Sequence, residues 1–209
     1  MEALIQLLLS IEPMSPALIA HLRSIITLIE YKKGEIILQE GDICNRIAYI
    51  ESGMVRSFYY LNRKEVSNWF MKEKDIIISV LSFHGRTPSE DIHIALVPCR
   101  CWGITFDQLE ETFRLFPEFE RHGRLLEAIY YCRSEQRHMM LKRQKPMRKY
   151  EILLEEFPNI QQYATNKQVA SYLNMSLSTL NNVRRGYGRP EKALPKKTAR
   201  AKKKARTKK

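Results

Sequence analysis

The residues best placed to do chemistry are Ser178, Asn181, Asn182 and Arg185, at positions i, i+3, i+4 and i+7. On a helix that spacing gathers them into one polar stripe, with Leu180 and Val183 on the opposite side. Asparagine can bond adenine through two atoms at once, and arginine can bond guanine or a phosphate. Hydroxyls near a helix start take phosphate oxygens, helped by backbone N–H groups. The chemistry expected of the stripe is hydrogen bonding to the edges and backbone of a nucleic acid. Four polar residues alone would read as a solvated helix face, so the neighbouring sequence has to decide.

It decides for the sharper reading. Residues 166–185 run NKQVASYLNMSLSTLNNVRR, and Val169, Leu173, Met175, Leu180 and Val183 supply buried positions on two short helices joined by a tight turn. Thr165 is a candidate N-cap. Ala170 falls where the helices must approach, and Asn174 falls where the turn needs a left-handed backbone, which Asn tolerates better than most residues. The pattern predicts a helix-turn-helix over residues 146–186, with an unrelated helical hairpin as the alternative. Its candidate contacts to double-stranded DNA are Thr165, Ser176, Ser178, Thr179, Asn181, Asn182, Arg184 and Arg185.

Charge points the same way. Of 35 Lys and Arg, thirteen lie after residue 183 against one acid, Glu191, so the first 183 residues balance 22 bases with 22 acids and the end of the chain carries the whole +12. A basic tail on a neutral body implies a polyanionic partner. Residues 187–209, GYGRPEKALPKKTARAKKKARTKK from Gly186, show no alternating apolar pattern and read as a flexible basic arm.

The elements that must position the stripe lie upstream. From Tyr31 to Phe106, short runs of Ile, Val, Tyr and Phe are broken by turn signals at Gly34, Gly41, Gly53, Asn62-Arg63, Lys74-Asp75, Gly85 and Pro98. Strands this short and this evenly spaced predict an α+β chain whose first part, residues 1–116, is an antiparallel β-roll or jelly roll with flanking helices. Asp107 with Glu110 fits a capping box, and Leu109 with Phe113 makes an apolar i, i+4 pair, so helices are expected to begin there. Pro117 suits the first turn of a long helix over 117–145, ended by Pro146. Within it Leu125, Ile129, Cys132, Gln136 and Met139 step by four and three residues, the spacing of a coiled-coil seam. Two copies of the chain are expected to pair along that line as a homodimer; the other reading packs this face on the roll.

Several classes are disfavoured. Pro13 and Pro16 interrupt the Leu7–Leu9 run and Glu2 precedes it, so it reads as an amphipathic helix rather than a leader. No stretch approaches the ~20 apolar residues of a membrane span. The four cysteines lack zinc spacing or disulfide density, so reduced thiols in a cytoplasmic protein are expected. Cys99 and Cys101 share a strand face, which leaves a redox or metal role open beside core packing. No cofactor is expected.

The layout of roll, long helix and helix-turn-helix resembles the cyclic-AMP receptor protein/FNR (Crp/Fnr) family of bacterial transcription regulators over about residues 20–186. KKGEIILQEGDICNRIAYIESGMVRSFYY is similar to that family's opening strands, and SFHGRTPSE and FPEFERHGRLLE are similar to a branch common in Bacteroidetes. The resemblance implies a homodimer on double-stranded DNA, RNA polymerase as a further partner, and a small-molecule effector in the roll. Members that bind cyclic AMP carry a Gly-Glu pair for the ribose and an Arg-Ser or Arg-Thr pair for the phosphate. Aligned on Asp75 and Pro88, those positions hold Ile78-Ser79 and Ser89-Glu90. The cation is missing and an anion stands beside its place, so cyclic AMP is not expected to bind. Arg86 is the candidate replacement cation. No N-terminal cysteine cluster supports an iron–sulfur sensor.

Two competing functions follow. A nucleoid-type protein would coat DNA through the tail with little sequence preference. A metal-dependent jelly-roll enzyme would need clustered ligands, whereas the roll offers His84 and His93, nine residues apart.

Overall fold

The computed structural model describes residues 1–187; the expected basic arm beyond them lies outside the described residues. Two helices come first, α1 (Glu2–Ile11) and α2 (Pro16–Ile25), the second capped by Ser15, whose side chain accepts from Leu18 N–H, with Pro16 in its first turn. Sequence reading expected one helix here. Ser15-Pro16 interrupts the helical run but also starts a second helix, since Ser15 caps it and Pro16 fits its first turn.

The strands are β1 (Thr27–Tyr31), β2 (Ile36–Leu38), β3 (Arg46–Ser52), β4 (Met54–Leu61), β5 (Lys64–Lys72) and β6 (Ile76–Ile77), followed by a short helix α3 (Val80–Gly85), then β7 (Ile92–Ala95) and β8 (Cys99–Thr105). They form two antiparallel four-stranded sheets, ordered β1-β8-β3-β6 and β2-β7-β4-β5. Alternate side chains meet between the sheets in a core of Ala48, Ile50, Val55, Met71, Ile77, Ala95, Cys99 and Cys101. Asn62 and Arg63 both have positive φ, 50° and 62°, as a two-residue hairpin between twisted strands requires. Gly53 is obligatory on two counts: its φ is 117°, and a Cβ there would lie 2.6 Å from Cys99 Sγ.

Beyond the roll come α4 (Phe106–Leu115), α5 (Glu118–Arg143), α6 (Pro146–Glu156), α7 (Ile160–Tyr163), α8 (Asn166–Tyr172) and α9 (Leu177–Gly186). The capping box of α4 is not Asp107 with Glu110. Thr105 accepts from Gln108 N–H at 3.2 Å, and Gln108 accepts from Thr105 N–H at 2.9 Å. Both pairs fit the motif; β8 delivers the chain at Thr105, and Phe106 N–H is already committed to the Asn45 carbonyl at 3.0 Å, so the helix starts two residues early.

One face of α5 lies on the roll and the N-terminal helices through Phe119, His122, Leu126 and Tyr130. Two polar ties fix its height. Ile76 N–H donates to Tyr130 Oη at 2.8 Å, and Arg133 meets the buried carboxylate of Asp75 at 2.8 Å. The seam from Leu125 to Met139 occupies the neighbouring face. Leu125 is half-buried there, while Ile129 (48% exposed), Cys132, Gln136 and Met139 (41%) stand in solvent. Packing on the roll therefore uses other residues and leaves the seam free.

Cys99 and Cys101 are buried among the sheets, and burial pushes the Cys101 thiol up to about 12. A thiol held that far from its thiolate is inert at neutral pH, which favours the core reading over redox chemistry.

Candidate nucleic-acid interface and effector cavity

Thr165 and Gln168 cap α8 reciprocally, at 3.3 Å and 2.8 Å. At the other end Asn174 turns left-handed (φ 48°), its N–H bonds the Ser171 carbonyl at 3.0 Å, and Met175 N–H bonds the Ala170 carbonyl at 3.0 Å. This pair of bonds is a Schellman closure, and it swings the chain sharply into α9. Lys149 of α6, buried, adds a bond from Nζ to the Leu173 carbonyl at 3.3 Å. Ser176 caps α9 by accepting from Thr179 N–H at 3.0 Å. Leu180 (0% exposed) and Val183 then lock α9 onto Val169, Ala170, Leu173 and α6.

The expected contact residues separate under this geometry. Ser178, Asn182 and Arg185 are exposed and Asn181 half-buried on one side of α9, with no side-chain hydrogen bond from the last three among the described residues. Thr165 and Ser176 are exposed but spent as caps, and Ser176 Oγ also meets Ser178 and Thr179 hydroxyls at 2.8 Å. Arg184 does not join the stripe. Its Nη1 donates to Asn166 Oδ1 at 2.6 Å and its Nη2 to Gln161 Oε1 at 2.7 Å, tying α9 to α8 and α7. One residue along a helix turns a side chain by about 100°, which carries Arg184 from the open face to the packed one.

The helical end is joined to the roll. Phe70 of β5 meets Tyr172 and Phe157 with ring centroids 4.9 and 6.2 Å apart, and Ser67 N–H donates to Ser171 Oγ at 3.0 Å. Arg137 of α5 stacks on Tyr172 and, at 5.5 Å, on Trp69. Sequence reading missed these ties because each joins residues at least 35 positions apart.

Between the roll, α3 and α5 runs a cavity of about 1330 Å³. Ile78, Ser79 and Glu90 line it. Ser89 sits behind, buried, its hydroxyl 3.1 Å from that of Ser79. Arg86 is elsewhere. Its Nη1 donates to the Cys44 carbonyl at 3.0 Å, its Nη2 to Asn45 Oδ1 at 2.8 Å, and its plane covers Phe106 at 4.1 Å. The candidate replacement cation thus fastens α3 to the loop before β3 and does not line the cavity. In its stead the structure brings Ser57, Asn68, Trp69 and Asp91 to the wall. Asn68 reaches it through a β-bulge: Ser57 pairs with Trp69 and Phe58 with Ser67, leaving Asn68 as the extra residue. Asn68 Nδ2 donates to Asp91 at 3.2 Å. Burial raises the Asp91 carboxyl above its usual range, against the lowering effect of Asn68 and Ser57.

Residues 28–115 match the family model of the cyclic nucleotide-binding domain. No curated protein sequence matches the chain significantly. Among solved structures, FixK2 from Bradyrhizobium japonicum is 17% identical, covers 77% of this chain with 83% of its own, and superposes with a TM-score of 0.64. The c-di-GMP responsive global regulator CLP of Xanthomonas campestris is 13% identical over 82% of this chain and 90% of its own, with a TM-score of 0.63. The catabolite activator protein of Thermus thermophilus is 15% identical over 83% of both chains, with a TM-score of 0.51.

Proposed function

From a chain that carries a cyclic nucleotide-binding domain at residues 28–115 within the fold of Crp/Fnr-family regulators, we propose a sequence-specific DNA-binding transcription regulator that acts as a homodimer. The observation that carries the proposal is the α8–α9 pair: a Schellman turn aims α9 outward with Ser178, Asn181, Asn182 and Arg185 on its open side. That arrangement supports a helix-turn-helix reading, in which the second helix enters a major groove. The free seam of α5 supports pairing of two copies, which would hold two α9 helices ~34 Å apart on a two-fold-related site. RNA polymerase is the further partner expected of a regulator, and the cytoplasm its place of work.

The roll then serves as an effector-sensing domain. The absence of any arginine or lysine at Ile78, Ser79, Ser89 and Glu90, with Arg86 engaged elsewhere, supports an effector other than cyclic AMP. The comparison structures are regulators, which agrees with a non-enzymatic role. Among the described residues no three His, Cys, Asp or Glu side chains cluster as a metal site, and no helix is long and apolar enough to cross a membrane.

The test is selection of bound duplexes from a random pool. A symmetric consensus with half-sites one helical turn apart is expected. Recovery of an unselected pool would favour the second reading, a nucleoid-type protein working through the +12 of residues 184–209.

A further inference from the structure

The cavity wall around Asp91 is acidic and holds a buried hydroxyl without a well-formed hydrogen bond. Asp91, Glu90 and, on α5 near His84, Glu127 line the cavity; among its described lining residues the one Lys or Arg is Arg124, exposed on α5, while Arg137, which stacks on Trp69, is not part of the lining. Ser57, 3% exposed, stands in the wall close enough to Asp91 to lower its carboxyl, yet its Oγ makes no hydrogen bond of ordinary geometry among the described residues. A buried hydroxyl left without a good partner is unfavourable, so a ligand that reaches it recovers that cost. Asp91 accepts from Asn68 but meets no cation among the described residues, although burial already disfavours its charged form. The lining also includes the apolar or aromatic side chains of Trp69, Met71, Ile78 and Tyr130. Such a site repels a phosphate or carboxylate and offers an ammonium group a carboxylate, a hydroxyl and an aromatic face.

We propose that this cavity binds a small organic amine, its ammonium group donating to the Asp91 carboxylate and the Ser57 hydroxyl and its apolar body lying against Trp69 and Met71. The inference deepens the effector-domain reading above and rests on it. Its test reads ligand binding directly, so loss of DNA binding and loss of ligand binding register separately.

Calorimetry on the full chain would titrate 2-phenylethylamine and tryptamine, each against its matched carboxylate, phenylacetate and indole-3-acetate, with cyclic AMP alongside. At least one amine should bind, tenfold or more tighter than its carboxylate and than cyclic AMP. Asp91→Asn should erase that preference while its circular dichroism and melting temperature stay near the parent's. Ser57→Ala, a second variant with an intact carboxylate, should weaken the amine several-fold and keep the preference for amine over acid. The proposal is overturned if neither amine binds, if a carboxylate or cyclic AMP binds as tightly, or if Asp91→Asn binds the amine unchanged.

Discussion

Arg137 lays its guanidinium 3.7 Å from the centroid of the Tyr172 ring and donates from Nη2 to the Tyr172 carbonyl at 3.2 Å. The same guanidinium touches Trp69, which lines the cavity, so one side chain bridges the roll, α5 and the first helix of the α8–α9 pair. Burial is extensive enough to push the Tyr172 hydroxyl up to about 12 and to lower the arginine. A desolvated stack of this kind is worth about 2 kcal/mol. Arg137→Gln should therefore loosen α8 from the roll and raise its amide hydrogen exchange by about tenfold or more, at 1.4 kcal/mol per tenfold. Exchange in the two sheets should stay as it is. An α8 that exchanges no faster would show that Phe70 and Ser67 hold the joint without Arg137.

Asn181→Ala and Asn182→Ala should each cost about 1–3 kcal/mol on the selected duplex and leave affinity for random duplex nearly unchanged, since base contacts carry discrimination. Arg184→Ala should act differently. Losing the bonds to Asn166 and Gln161 should lower the melting temperature and weaken both duplexes together. Binding titrations on the two duplexes, beside thermal melts, distinguish the two behaviours.

Cys132 offers a direct reading of the pairing, because it is exposed in the middle of the α5 seam while Cys44, Cys99 and Cys101 are buried. In a parallel, in-register pair the two copies of a seam residue face each other. Mild oxidation should give a disulfide-linked dimer that reducing agent reverses and Cys132→Ser abolishes. Cross-linking that survives the substitution would place the interface elsewhere.

His93, 2% exposed on β7, is held by burial with its pKa down at about 4. In the unfolded chain it returns to ~6.5, so between those values the unfolded state takes a proton that the folded state refuses. Its contribution is complete above pH 6.5 and is lost as pH falls toward 4, by about 3 kcal/mol at 1.36 kcal/mol per pKa unit. Urea unfolding at pH 7 and pH 4.5 should show the drop in the parent and a smaller one in His93→Gln. Equal drops would mean that other groups set the acid sensitivity.

Truncation after Gly188 removes eleven of the thirteen cations that follow residue 183. Each phosphate that they neutralise adds about 0.9 to the slope of log affinity against log salt. The shortened protein should bind every duplex more weakly, keep their ranking, and show a flatter salt dependence. An unchanged slope would assign the tail to a partner other than DNA.

Local rules made much of the chain legible. The turn at Asn62-Arg63, the left-handed Asn174, the cap at Thr165 and the buried line Val169, Leu173, Leu180, Val183 each follow from steric or hydrogen-bonding limits that act within a few residues. The apolar step from Leu125 to Met139 was equally plain, since helical period is a property of the sequence itself. Where two local solutions were both acceptable, sequence could not choose: Thr105-Gln108 displaced Asp107-Glu110 because the end of β8 and the Asn45 carbonyl had already fixed Phe106. Arg86 and Arg184 were legible as cations but not as to what they would touch. Their partners, Cys44 and Asn45 for one, Gln161 and Asn166 for the other, come near only when separate elements pack. The same holds for the acidic corner at Asp91 and for Arg137 on Tyr172. Periodicity specifies which face of an element is buried, whereas the groups that meet across that face are chosen by how the elements stack, and no spacing along the chain encodes that distance.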